Sequence, residues 1–142
     1  MERFKIIPTV HLFLIKDEKI LLLKRANTGY EDGSYSVPAG HLDGNETASS
    51  GMLREAKEEI CVIIQEKNIK LVHLMHRKNE REQLDLFFLC KNWFGEPKIG
   101  EPDKCSELKW FELNKLPSNT IPYIQKAIYN YQKSVIYSEF GW

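Results

Sequence analysis

The sequence predicts an α/β (α+β) fold, a mixed β-sheet with helices packed against it. Three observations carry this. Strand-like and helix-like runs follow one another as strands, helix, strands, helix, which is not the regular alternation of a βαβ repeat. A chain of 142 residues suits about one domain, residues 1–142, with its own buried core. Hydrophobic residues make up 42%, an ordinary globular share, which argues against wholesale disorder.

The elements follow in order. "TVHLFLIKD" and "KILLLKR" are β-rich runs, and the charged Asp17 and Glu18 between them suit a hairpin. "NTGYEDGSYSVPAGHLDGNET" is glycine-rich and has no periodicity. It reads as a long loop, and such loops in compact domains are usually functional. From Glu46 the pattern turns helical: Ala48, Met52, Ala56 and Ile60 recur every four residues and draw an apolar stripe. Asn45 is the expected N-cap, with Glu46 and Thr47 in the first turn. "IKLVHLMHR" and "EQLDLFFLCKNWF" are two strands around the charged turn "KNERE", and "ELKWFELNKLP" is a further short strand ending at Pro117. "NTIPYIQKAIYNYQKSV" is a second helix, with Thr120 as N-cap and Pro122 in its first turn. Its apolar face is Ile121, Ile124, Ala127 and Ile128.

Charge limits the partners. Lys+Arg is 20 and Asp+Glu is 20, so no global basic field draws in a nucleic-acid polymer or an anionic membrane. Any phosphate has to be held by a local site. The cysteines, Cys61, Cys90 and Cys105, are odd in number and lack C-x-x-C spacing, which argues against a disulfide framework or a zinc cluster. The apolar run near the N-terminus is broken by Lys16, Asp17 and Glu18, and no stretch approaches the roughly 20 apolar residues of a membrane helix. The expectation is a soluble, cytoplasmic protein, monomer or homodimer.

The helical stretch holds one anomaly. Glu55, Glu58 and Glu59 stand at i, i+3 and i+4 and share a face, where like charges cost roughly 0.2–0.5 kcal/mol per pair. Taken alone, "REAKEE" also reads as a solvated face of good helix formers, with Arg54 able to pair with Glu58. A divalent cation would reverse the sign of the repulsion, since Mg²⁺ takes hard oxygen ligands, typically carboxylates and phosphates.

The surrounding residues favour the metal. Gly40, Glu46, Arg54, Glu55, Glu58 and Glu59 fall at the fixed spacings Gly, five residues, Glu, seven residues, Arg-Glu, two residues, Glu-Glu. At average usage, such a match by chance in this chain is on the order of 10⁻⁵. The sequence resembles the Nudix hydrolase family, and the order of elements is similar to its α/β/α sandwich with a mixed sheet. Cys61 departs from the pattern, standing where the family has a helix-ending glycine. Ala39 and Tyr35 are further departures from common residues.

The resemblance implies hydrolysis of the pyrophosphate of a nucleoside diphosphate derivative, with Mg²⁺ or Mn²⁺ as cofactor and a nucleotide as partner. It implies Glu55, Glu58, Glu59 and the Gly40 carbonyl as metal ligands, and Arg54 as the group that orients a carboxylate. Glu46 is expected to brace the loop–helix junction. Glu55 or Glu101 would serve as general base, and Arg25 and His41 would reach substrate phosphates. "GEPKIGEPDKCSELKWFELNKLP" and "PAGHLDGNE" are similar to segments of MutT-like nucleoside triphosphate pyrophosphatases. That favours a triphosphate cleaved to monophosphate and pyrophosphate. The proline typical of ADP-ribose hydrolases, and the tyrosine typical of dinucleoside polyphosphate hydrolases, are missing beyond Glu59: no proline stands between Pro38 and Pro97 and no tyrosine between Tyr35 and Tyr123. Phe87, Trp110 and the tail residues Phe140 and Trp142 are expected to offer stacking surfaces for the base. The alternatives are an ADP-ribose or nucleotide-sugar pyrophosphatase, a non-catalytic nucleotide-binding module and an isoprenoid diphosphate isomerase. His73 and His76 point to opposite faces of one strand and are set aside as metal ligands.

Overall fold

The computed structural model describes residues 1–142. The first two apolar runs form strands β1 (Ile7–Lys16) and β2 (Lys19–Arg25), joined as an antiparallel hairpin. Asp17 and Glu18 both adopt positive φ, 52° and 61°, the geometry a two-residue hairpin turn demands. The glycine-rich loop is not wholly irregular. It contains β3 (Tyr35–Ser36), paired with β2, and β4 (Ala39–His41), paired with β1. Segments of two and three residues are too short to show an alternation, so the sequence reads them as loop.

Helix α1 spans Ala48–Ile60, and its cap is Thr47, not Asn45: the Thr47 hydroxyl accepts from Ser50 N–H at 3.0 Å. Asn45 takes φ 54° next to Gly44 at 83°, so it turns the chain before the helix begins. Glu46 therefore lies outside the first turn. Beyond α1 come β5 (Ile69–Lys78), β6 (Glu82–Cys90) and β7 (Cys105–Glu112). Helix α2 (Pro122–Gln132) is capped by Ile121 without a side-chain bond. Thr120, the expected cap, instead donates its hydroxyl to the Pro117 carbonyl at 2.8 Å. The tail forms β8 (Tyr137–Phe140), parallel to β5.

The sheet runs β3-β2-β1-β6-β5-β8, with β4 on β1 and β7 on β2. It is mixed: β1 is parallel to β6, and most other pairs are antiparallel. Alternation along β1 sorts the core into two layers. Val10, Leu12 and Leu14 face α1 with Met52, Ala56 and Ile60, while Phe13 and Ile15 join Ile124, Ala127 and Ile128 of α2. Both faces are covered, which is why β1 reads as an unbroken apolar run. This is the α/β/α sandwich expected. No helix is long and apolar enough to cross a membrane.

Candidate active site

Two adjoining cavities open where β4 meets α1. One, of about 580 Å³, is lined by Glu55, Glu58, Glu59, Glu101, Lys104 and Arg25 among others. The second, of about 720 Å³, shares Arg25, Ala39, Gly40 and His41 with the first.

The acids reach the smaller cavity because α1 packs against β4. Gly40 lies directly against the Glu55 carboxylate, where any side chain at position 40 would overlap it. Glu59 accepts from the Ala39 N–H at 3.3 Å. The Glu55 and Glu59 carboxyl groups are within hydrogen-bonding reach of each other. Burial raises the Glu55 pKa against the pull of Arg54. Glu59 is raised well above the usual carboxylate range by burial first and by the charge of Glu55 second. Two carboxyl groups so placed resist both ionising, and a cation between them would remove the penalty. In this conformation no three acids converge on one point. Glu58 is half exposed and turned toward Arg54 at 3.4 Å.

Arg54 is the hub of the loop–helix junction. It donates to Glu46 through Nε at 3.0 Å and Nη2 at 2.8 Å, and to Glu55 through Nη1 at 2.9 Å. Glu46 also accepts from the Asp43 N–H, and the Arg54 hydrogen bonds, with this one, hold its pKa down to about 2. Glu46 thus faces Arg54 and the loop, away from the cavity lining.

The end of α1 accommodates its unusual residue. Cys61 adopts the left-handed conformation, φ 60° and ψ 30°, that glycine takes at this position at lower cost. The free carbonyls of the last turn are met by the loop that follows β6: Lys98 N–H donates to Ile60 O and Gly100 N–H to Glu59 O, both at 2.9 Å. Gly100 passes so close to Glu58 O that a Cβ would overlap it. These contacts bring Glu101 to the cavity beside Glu59.

Arg25 ends β2 and lines both cavities, held by the Tyr30 carbonyl at 2.8 Å and the Thr28 hydroxyl at 3.0 Å. His41 sits on the shared rim, 3.4 Å from the Arg81 guanidinium. The stacking candidates do not join them. Trp110 stacks on Trp93 at 5.9 Å and lines a separate cavity, because its strand position turns it away from the acids. Phe87 is fully buried among Phe13 and His11. Phe140 packs on the α2-side core, and Trp142 donates its indole N–H to the His76 carbonyl at 3.0 Å. The aromatic rings that do line the larger cavity are Tyr30 and Tyr123. Tyr30 was legible as an aromatic beside Arg25 in the long loop. Tyr123 carried no signal, since it reads as part of an amphipathic helix.

The sequence matches the NUDIX domain over residues 5–131. The chain belongs to the NUDIX family. It is 32% identical over 119 residues to an ADP-ribose pyrophosphatase of Methanocaldococcus jannaschii, covering 83% of this chain and 68% of that protein. It is 26% identical to the NAD-capped RNA hydrolase NudC of Pseudomonas putida, of which it spans 39% of the length. A MutT NUDIX hydrolase from Burkholderia pseudomallei shares the fold with a TM-score of 0.82 at 24% identity, over 89% of this chain and 98% of that one. The chain is therefore a Nudix hydrolase, of a family that generally uses divalent metal ions.

Proposed function

We propose that the chain hydrolyses a nucleoside triphosphate to the monophosphate and pyrophosphate, with Mg²⁺ as the ion. The observation that carries it is the partly buried Glu55–Glu59 pair, with Glu55 against Gly40, in a cavity that adjoins a larger one lined by Arg25, His41 and Arg81. The donor set fits a hard divalent cation, all carboxylate and carbonyl oxygen. Glu55, Glu58, Glu59 and the Gly40 carbonyl would hold it. Bound there, the ion neutralises phosphate charge and lowers the pKa of a water.

The chain's own residues do the rest. Arg54 fixes Glu55 through a charge-assisted hydrogen bond and draws Glu58 toward it. Arg25, itself held by Tyr30 and Thr28, and His41 meet the phosphates at the junction of the cavities. Glu55 or Glu101 accepts the proton of the attacking water, one from the helix and the other from the loop that follows β6. Trp110 has no part in this arrangement. A second reading, hydrolysis of ADP-ribose, is favoured by the name of the Methanocaldococcus jannaschii relative.

Release of pyrophosphate from nucleoside triphosphates, and of AMP from ADP-ribose, each measured with Mg²⁺, tests both readings. Glu58→Gln is expected to lower kcat by roughly 10²-fold or more, as removal of a charge-stabilising group does. Full activity in that variant overturns the metal assignment.

A further inference from the structure

The larger cavity has a wall that hydrolysis at the glutamates leaves unused. Gln83 Oε1 accepts from the Thr9 hydroxyl at 3.2 Å and from Arg77 Nη2 at 2.9 Å. Two donors on that oxygen fix the amide orientation, so Nε2 is the free end. Arg77 is clamped as firmly. Its Nε and Nη2 donate to Asp85 at 2.6 and 3.2 Å, and its guanidinium lies 3.7 Å over the Tyr123 ring. Asp85 is fully buried, and Arg77 and Gln83 are each 6% exposed. Both line the larger cavity. Arg77 Nη1 and Gln83 Nε2 make no hydrogen bond, yet neither is among the atoms sealed from solvent. Gln83 lines the larger cavity, and Arg77 lines both it and a small cavity beside Tyr30, Tyr123 and Phe140. Each nitrogen carries two N–H groups, so these two side chains offer donors and no free acceptor.

We infer that Arg77 and Gln83 are specificity-determining residues that read an oxygen acceptor, carbonyl or phosphoryl, on the substrate moiety seated in the larger cavity. This rests on the nucleotide-hydrolase reading above. The donors are preorganised, because Asp85, Thr9 and Tyr123 leave neither side chain free to swing away. A ligand that covers them without supplying an acceptor strands buried donors. Sites built in this way reject the mismatched analogue steeply.

Inosine and adenosine triphosphates separate the two sources of oxygen. They carry the same phosphates and differ at a 6-oxo versus a 6-amino group. Gln83→Glu keeps an acceptor for Thr9 and Arg77 and replaces the two free donors with an oxygen. Its added charge acts alike on both triphosphates, so the ratio of their kcat/KM values isolates base readout. If the oxygen is the base carbonyl, the wild type favours the inosine nucleotide by roughly tenfold or more, and Gln83→Glu brings the ratio near unity or reverses it. If it is phosphoryl, the ratio is near unity throughout and Gln83→Glu lowers both values by roughly tenfold. Arg77→Lys, which keeps a positive charge beside Asp85 and loses Nη1, is the second variant should the first fail to fold. The inference is overturned if a folded variant keeps both values within about twofold of wild type. Calorimetry with the two monophosphates and no metal reads the wall without turnover. Binding that Gln83→Glu alters, in a protein that hydrolyses neither triphosphate, would sink the proposed reaction and leave this inference standing.

Discussion

Replacing Gly40 with alanine tests the site at its tightest point. Gly40 does not need a glycine backbone conformation, so the change acts through space alone. A Cβ there would overlap Glu55 Cδ and Oε1 and lie 2.6 Å from Oε2, where an ordinary contact begins at 3.4 Å. The carboxylate has to retreat by about 1 Å, and a misplacement of that size costs up to about 10²-fold in rate. The Glu55 side chain is only 13% exposed and tied to Arg54 at 2.9 Å, so it cannot rotate freely into solvent. Overpacking adds about 1–3 kcal/mol of lost stability. Steady-state pyrophosphate release at saturating Mg²⁺, with thermal denaturation alongside, measures both effects. The expected result is a kcat lowered by about 10²-fold with KM little changed, in a protein that still folds. A folded Gly40→Ala variant with a kcat close to wild type would refute the placement of Glu55 at the reacting centre.

Two further outcomes are expected. His11 is fully buried beside Asp85, Arg77 and Tyr123, and burial, only partly offset by Asp85, lowers its pKa from 6.5 to about 4. The unfolded chain therefore binds the extra proton between those values, and stability present above pH 6.5 is lost as pH falls toward 4. The loss amounts to about 3 kcal/mol. Urea titrations of wild type and His11→Gln across that range should show the variant's pH dependence to be flatter, and parallel curves would contradict the assignment. Cys61→Gly relieves a left-handed side-chain residue and should raise stability by about 1 kcal/mol, seen as a Tm higher by roughly 3 °C. An unchanged or lower Tm would mean that Cys61 is held there without strain.

Much of the scaffold was legible because its signals are local. The stripe Met52, Ala56 and Ile60, recurring every four residues, is the buried face of α1, and the hairpin at Asp17 and Glu18 follows from two β-rich runs around a charged pair. The spacing of Glu55, Glu58 and Glu59 puts all three on the lining of one cavity because a single helix carries them. Other features depend on distant partners. The parallel pairing of β1 with β6 joins residues some seventy positions apart and leaves no trace in either strand. The aromatic assignments failed for a related reason. In a sheet covered on both faces, a core ring such as Phe87 and a ligand-facing ring look alike in sequence. Arg77 carries no signal in the sequence, because a buried arginine is rare and its clamp requires Asp85 and Gln83 from the neighbouring strand.

The stitching of Lys98 and Gly100 to the last carbonyls of α1 has a consequence for motion. Helix ends are ordinarily the first part of a helix to fray, and Glu59 sits within the last turn of this one. Tied to the segment that carries Glu101, that turn cannot open unless the loop departs with it. Glu59 and Glu101, which line the same cavity, thus belong to one cooperative unit. A bound ligand that holds either of them slows the release of both, so loosening at position 100 would be felt as faster escape of whatever the site contains.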